Sequence, residues 1–410
     1  MPFEHPQHPL NTVATIHSGK RPPLISLHKT PLAPVKIIGS GGLSGFTSTC
    51  LQTQPTLVTG RVGTLGKLFD MREPCWISDN ALSIRPLPEK IHYNYLRYAL
   101  QLVIPQAIGL NRGAANPLVT QTDLGRLVLS VPALPEQQAI ATLLSSIDNR
   151  IENLQKTNST LEAIAQTLFK SWFINFDPVK ANNQQASTLP DHISSLFPSE
   201  FEESELGLIP KGWSVSNCLD VLTFTKGIEP GTTNYKTAPA TGLSPFLRVG
   251  DLSKQKSTLF VNTLTYAKAL VTPQDILISL DGTVGLVQRG LEGVISAGIR
   301  KVCDIHNQAS PFVFFTLKSP TFQEQLERYT PAFTTLPHAG SALKHIQLIS
   351  PPPDLVAHFN SITQPLLNLI LNNLQEQLKL SALRDTLLPQ LISGSLRLPG
   401  FADPLNPPAT

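Results

Sequence analysis

The residues of this chain that come nearest to a chemical motif are Gly60-Arg61-Val62-Gly63-Thr64-Leu65-Gly66-Lys67-Leu68. A phosphate-gripping P-loop needs four residues between its glycines and a Ser or Thr after the Lys. Here five residues separate Gly60 from Gly66 and Leu68 follows the Lys, so nucleotide hydrolysis is not expected. Asn406-Pro407-Pro408-Ala409 lacks the aromatic that an Asn-Pro-Pro loop uses to hold a flipped base. Asp191, Glu200 and Glu202 suggest a nuclease carboxylate set, but no Lys follows at the required place. The ten histidines show no H-E-x-x-H or clustered ligand spacing. Cys50, Cys75, Cys218 and Cys303 lie far apart, which argues against a disulfide scaffold or a Cys-type zinc site and fits a reducing cytoplasm. The expectation is a protein with no catalytic residues, no metal and no cofactor.

The same glycine stretch suits approach to phosphate better than hydrolysis. Gly63-Thr64-Leu65-Gly66 follows the β-rich run Thr56–Thr59. It maps without a gap onto a second copy far downstream, Gly282-Thr283-Val284-Gly285, which follows Asp275–Ile278. Glycines in a tight turn let backbone N–H groups come close to phosphate; the other reading is that they serve turn geometry alone. Arg61 and Lys67 flank the first turn and are its expected phosphate or base contacts, with Lys20 and Arg21 after Gly19 on the same side. In the second half the flanks are Asp281 and Gln288, so the contacts shift to Arg248, Lys254, Lys256 and Arg300.

The elements that must position these turns repeat at the offset that carries Gly63 to Gly282. Ile140, Leu144, Ile147, Ile151, Leu154, Leu161, Ala165, Leu168 and Trp172, with Asn158 filling the one gap, recur at alternating spacings of four and three. That is a coiled-coil seam. The positions at the same offset are Phe359, Thr363, Leu366, Ile370, Asn373, Gln377, Leu380, Arg384, Leu387 and Leu391, a weaker seam in register. A duplicated unit is most simply related by a pseudo-twofold axis, which makes the helices antiparallel. Asn158 and Gln377 are then expected to meet and fix register. Phe169, Trp172 and Phe173 exceed what a two-helix seam covers, so they form either a partner-binding surface or packing beneath the first globular block.

Charge follows the repeat. Residues 1–130 hold 12 basic and 6 acidic residues, 131–205 hold 4 and 10, 206–350 hold 13 and 9, and 351–410 hold 3 and 4. The net charge of +3 hides two basic blocks that suit phosphate, alternating with acidic or neutral ones. Each basic block reads as mixed and mostly β, with short helices at Tyr93–Leu102 and Pro320–Tyr329. The expected fold is α+β: recognition-type domains at 1–130 and 206–350, helices at 131–175 and 351–396, a flexible connector at 176–205 and a tail at 397–410. With 410 residues, 41% hydrophobic and 15% charged, the chain is a multi-domain globular one without a membrane span. Its first residues lack a signal-peptide layout, so a cytoplasmic location is expected.

Four stretches carry a resemblance to a known family. Leu134-Pro135-Glu136-Gln137-Gln138-Ala139-Ile140 opens the first helix, and Leu161–Phe173 closes it ahead of Phe176-Asp177-Pro178-Val179. Leu383–Gly394 resembles the end of the second helix, and Leu208-Ile209-Pro210-Lys211-Gly212-Trp213 the start of a recognition domain. Together they resemble the specificity subunit of Type I restriction-modification systems across almost the whole chain. No Pro-Lys-Gly-Trp precedes Leu10, so a short or irregular first strand is expected there. The second helix lacks a counterpart of Pro135–Gln138, which leaves its start open.

The resemblance implies a non-catalytic subunit. Its two domains each read one half of a bipartite double-stranded DNA target. Its helices hold them apart and bind methyltransferase subunits, two of them, and through the complex the restriction subunits. The 33-residue seam at ~1.5 Å per residue spans ~50 Å, about one and a half turns of B-DNA at ~34 Å per turn. The competing readings are a stand-alone DNA-binding regulator with a coiled-coil spacer, and an extracytoplasmic scaffold.

Overall fold

Two long helices organise the chain: Leu134–Phe173, of 40 residues, and Pro353–Ser393, of 41. The structure, a computed structural model, describes residues 4–112, 117–254, 257–330 and 338–401. The chain forms two compact units, one of residues 1–152 with 378–410 and the other of 153–377. Each long helix therefore contributes one part to each unit. The second helix begins at Pro353, after Pro351 and Pro352. Proline is well placed there, because its fixed φ suits the first helical position and its missing N–H costs nothing.

The two units share one topology. In the first, a four-stranded antiparallel sheet runs in the order Ala14–Ser18, Ala81–Pro86, Thr56–Gly60, Leu68–Met71. In the second, the order is Leu222–Lys226, Ile299–Asp304, Ile276–Ser279, Val287–Gln288. A smaller sheet accompanies each, with one parallel pair: Val35–Gly39 beside Cys75–Ile77, and Leu243–Leu247 beside Gly293–Ile295. A two-stranded ribbon completes each unit, Gln7–Pro9 with Val128–Ser130 and Ser214–Asn217 with Gln347–Ser350. The first strand is thus three residues long, as the missing Pro-Lys-Gly-Trp suggests. Thr56–Gly60 and Ile276–Ser279 are buried at every position, as strands covered on both faces must be.

Helices form at Tyr93–Val103 and Pro320–Tyr329. By its place in the repeat, however, the counterpart of Tyr93–Val103 is Pro311–Lys318. The stretch 176–205, expected as a flexible connector, is folded into the second unit. It forms helices Asp177–Asn183 and Asp191–Ser194 and the strand Phe201–Ser204, with Val179 and Phe197 in the core. Its polar composition hid this, because Asn182 spends its amide on the Ser194 and Phe197 carbonyls (2.9 and 3.0 Å) rather than on water.

The long helices pack antiparallel within each unit. In the first, Asp148 pairs with Arg384 at 3.0 Å and Glu136 with Arg397 at 2.8 Å, while Ile140 and Leu144 join Leu388, Leu391 and Ile392 in one core. In the second, Asn158 meets Asn373, and Phe173 meets Phe359 with ring centroids 5.2 Å apart. Two expectations are corrected here. Asn373 Nδ2 donates to Asn158 Oδ1 at 2.7 Å, so Asn373, not Gln377, is the partner of Asn158. Asn158 therefore faces the residue one helical turn before its repeat equivalent.

Phe169, Trp172 and Phe173 are not an exposed partner surface. They are 5%, 3% and 5% exposed, packed on Phe197, Trp213, Phe312, Phe315 and Phe359 within the second unit. The surplus aromatic area is covered by the chain's own second globular block, not the first.

Candidate nucleic-acid interface

The main sheet of each unit delivers its loops to one end. In the first unit, Ser18 pairs with Leu82 and Gly60 with Ala81, so the chain after Gly19 and the turn after Gly60 leave on either side of turn 78–81. That turn ties both down. Gly19 N–H donates to Ala81 O (3.1 Å) and Lys20 N–H to Ile77 O (2.9 Å), while Arg61 and Val62 N–H both donate to Asn80 O. A Cβ at Gly19 would sit 2.0 Å from the Ser78 carbonyl oxygen, so no other residue fits. The second unit repeats this arrangement. Gly227 N–H donates to Ile299 O, and a Cβ there would lie 2.2 Å from Ser296 O.

The structure thus gathers Lys20, Arg21, Arg61 and Lys67 at one end of the first sheet, and none of the four has an ion pair among the described residues. Lys20, Arg21 and Lys67 are exposed and Arg61 is half-buried. The turn glycines are left-handed, with φ of 86° and 76° at Gly63 and Gly66 and of 72° and 84° at Gly282 and Gly285. Their N–H groups are only partly free. Gly63 N–H donates to Pro117 O, and Gly285 N–H to Ser279 O, both at 2.9 Å. Thr64 is exposed, and its carbonyl oxygen packs against Gly60. The Thr283 carbonyl accepts from Ser279 Oγ at 2.5 Å. These glycines therefore serve turn geometry first, and beside the first turn Arg61 and Lys67 keep side chains without an ion pair among the described residues.

The second unit is less basic at this end. Arg300 Nη1 donates to the carbonyls of Ala297 and Ile299, and burial pushes its guanidinium below the ordinary arginine range. It braces turn 296–299 instead of facing solvent. Arg248 keeps a half-exposed guanidinium but pairs with Asp251 at 3.2 Å. Asp281 holds His338 at 2.8 Å. Lys254 is exposed at the end of the helix Val249–Lys254, and Lys256 lies outside the described residues.

Some features went unseen in the sequence. Asn80 and Ser40, joined at 3.1 Å, order the first loop cluster from separate turns, and no local signal marks them. The loop after Arg21 presents Leu24, Ile25, Leu27 and Leu32 to solvent, the last 82% exposed, among Lys29 and His28. Scattered prolines there gave no period to read. Asp148 is the third. Burial alone would raise its carboxyl, but hydrogen bonds from Tyr98 and Arg384 and the charge of Arg97 hold it below the usual carboxylate range. Among the described residues, no three His, Cys, Asp or Glu side chains gather to hold a metal ion, and no helix is long and apolar enough to cross a membrane.

Residues 9–163 match the family model of the Type I restriction modification DNA specificity domain. The chain is 29% identical over 319 residues to the Type I restriction enzyme MjaIX specificity subunit of Methanocaldococcus jannaschii, covering 75% of this chain and 69% of that one. It is 26% identical over 338 residues to the HindI specificity subunit of Haemophilus influenzae, covering 70% and 73%. Among solved structures, the fold matches the S subunit of a Type I restriction-modification system from M. genitalium. The TM-score is 0.58 at 16% identity, over 94% of this chain and 96% of that one.

Proposed function

We propose that the chain is a specificity subunit of the Type I restriction-modification kind that its first part and its relatives resemble, and that it reads a two-part DNA target and catalyses nothing itself. Residues 1–130 read one part and 206–350 the other, each through the loop end of its main sheet. The helices at 131–175 and 351–396 carry methyltransferase subunits, one per repeat and so two in all, and through them the restriction subunits. The reading requires no cofactor and places the protein in the cytoplasm.

One observation carries this reading: the same sheet, close-packed glycine and left-handed glycine turn recur in both units. With the aromatic cluster buried, the methyltransferase surface shifts to apolar residues the helices leave exposed. Ile362, Leu369 and Leu383 are 39%, 44% and 47% exposed and recur at heptad spacing outside the seam. The test is methylome sequencing of a host expressing this chain with its methyltransferase. A new interrupted motif, of two specified blocks around a fixed unspecified spacer, is the expected result. An uninterrupted motif, or none, rejects the two-part reading.

A further inference from the structure

At the end of the first unit's main sheet away from the glycine turn, a cavity of about 730 Å³ is walled by Thr15, Gln54, Arg72, Arg85, His92 and Asn94, together with prolines. Among the described residues, no Asp or Glu stands in that wall. Arg85 has no hydrogen-bond or ion-pair partner among the described residues, and its Nε is shut off from solvent. His92 Nδ1 is equally buried and unpartnered. Arg72 turns its Nε to Asp70 at 3.0 Å and its Nη2 to Asn94 Oδ1 at 2.6 Å. A guanidinium without an acceptor beside an acid-free cavity is a donor set missing its anion.

Further donors point the same way. The helix Tyr93–Val103 starts on the cavity wall, and its N-cap His92 makes no side-chain cap. His92 N–H is taken by Gln137 Oε1 at 2.8 Å, and Leu96 N–H closes the first helical bond. The N–H groups of Tyr93, Asn94 and Tyr95 have no acceptor among the described residues. Such groups, at the positive end of a helix dipole, favour an anion.

The second unit serves as an internal control. Its corresponding helix, Pro311–Lys318, is capped from within the chain. Pro311 has no N–H, Phe312 N–H donates to Asn360 Oδ1 at 2.9 Å, and Val313 N–H to Ser310 Oγ at 3.4 Å. Where the first sheet pairs Pro86 with Ala14, the second pairs Asp304 with Leu222. The same architecture closes its donors in one unit and leaves them open in the other.

We propose that the cavity of the first unit is an oxyanion site of the phosphate class, built from Arg85, Arg72 and the first-turn N–H groups of the helix Tyr93–Val103. The occupant is a tetrahedral phosphate group, either of a DNA backbone or free in solution. Binding is read without duplex, so the site stands or falls apart from the DNA-reading proposal.

The experiment uses the full chain and inorganic phosphate, with thermal unfolding followed against chloride at matched ionic strength. Phosphate is expected to raise Tm saturably beyond chloride. Arg85→Gln is expected to weaken that response at least tenfold. Asn94→Asp keeps the acceptor for Arg72 and places a carboxylate at the helix start. It is expected to raise Tm without phosphate and to weaken the response at least tenfold. Equal shifts from phosphate and chloride in the parent chain, or an undiminished response in either variant, overturn the site. A duplex-binding arm separates the sources. Phosphate competition together with a salt slope lowered by about one in Arg85→Gln assigns the site to backbone phosphate. A phosphate response without competition assigns it to the free anion.

Discussion

Arg61 and Lys67 flank a turn whose Gly63 N–H is already spent on Pro117 O, and their side chains are the charged groups this loop can bring to a contact. The two differ in chemistry. Lys67 is an exposed point charge suited to a phosphate, whereas Arg61 is half-buried, with its backbone held by Asn80 O and Val119 N–H, a more fixed starting point for a base reader. Lys67→Ala is expected to weaken duplex binding at all sequences and lower the salt slope by about one. Arg61→Ala is expected to cost ~1–3 kcal/mol and relax one position of the methylated motif. Affinity titrations of the methyltransferase-bound protein across a salt series, with motif sequencing, check both. Wild-type slope and motif in the two variants would remove the first turn from the DNA face. At this scale Arg300 was misread from sequence: a cation near the end of a strand looks free until the carbonyls it braces are placed beside it. Lys20 and Arg21 were legible because Gly19 fixes the direction in which they leave.

The long helices were the most legible elements, since a 4,3 spacing kept up along the whole of a long helix has few other solutions. What spacing cannot supply is the partner across the seam or the use of polar residues within it. Asp148 is a case in point, a carboxylate beside the seam that looks like a solvated position. It accepts from Tyr98 Oη at 2.7 Å, Arg97 at 3.1 Å and Arg384 at 3.0 Å, tying the helix Tyr93–Val103 to both long helices. Because its folded pKa lies below its ordinary value of 3.8, the stability it contributes is full above about pH 4. It is lost as the pH falls below that, through the lower folded value. Asp148→Asn is therefore expected to unfold more easily at pH 7 while losing less stability than the parent chain between pH 4 and 2. Urea midpoints over that range measure it, and parallel acid profiles would show that Asp148 does not titrate at a lowered pKa.

The outer face of the second helix makes a different prediction. Leu369→Asp with Leu383→Asp places charge at exposed positions, so the fold should be kept. Co-purification of the methyltransferase subunit should fall at least tenfold, because an apolar anchor is replaced by a desolvation cost. Unchanged recovery of the complex would move the docking surface elsewhere.

At the scale of the molecule, the sequence disclosed a duplication but not its unequal halves. The constant offset between Gly63 and Gly282 placed both glycine turns correctly, while the fate of each surplus group depended on contacts far apart in the chain. The aromatic cluster near Trp172 entered the second core, and the acidic stretch 176–205 was drawn into order by Val179 and Phe197. The two units nevertheless keep separate hydrophobic cores and separate cation sets, Arg61 and Lys67 in one, Arg248 and Lys254 in the other. Side chains that share no partner act on binding independently, so their free energies add to within ~0.3–0.5 kcal/mol. Arg61→Ala and Arg248→Ala are therefore expected to relax different blocks of the methylated motif. The double variant should bind with the sum of the two single losses. The Arg248 effect should be the smaller, because Asp251 already offsets part of its charge. A double-mutant cycle on duplex affinity gives the coupling directly. A coupling well above that additivity limit, or both variants relaxing the same block, would mean that the two units do not read separate parts of the target.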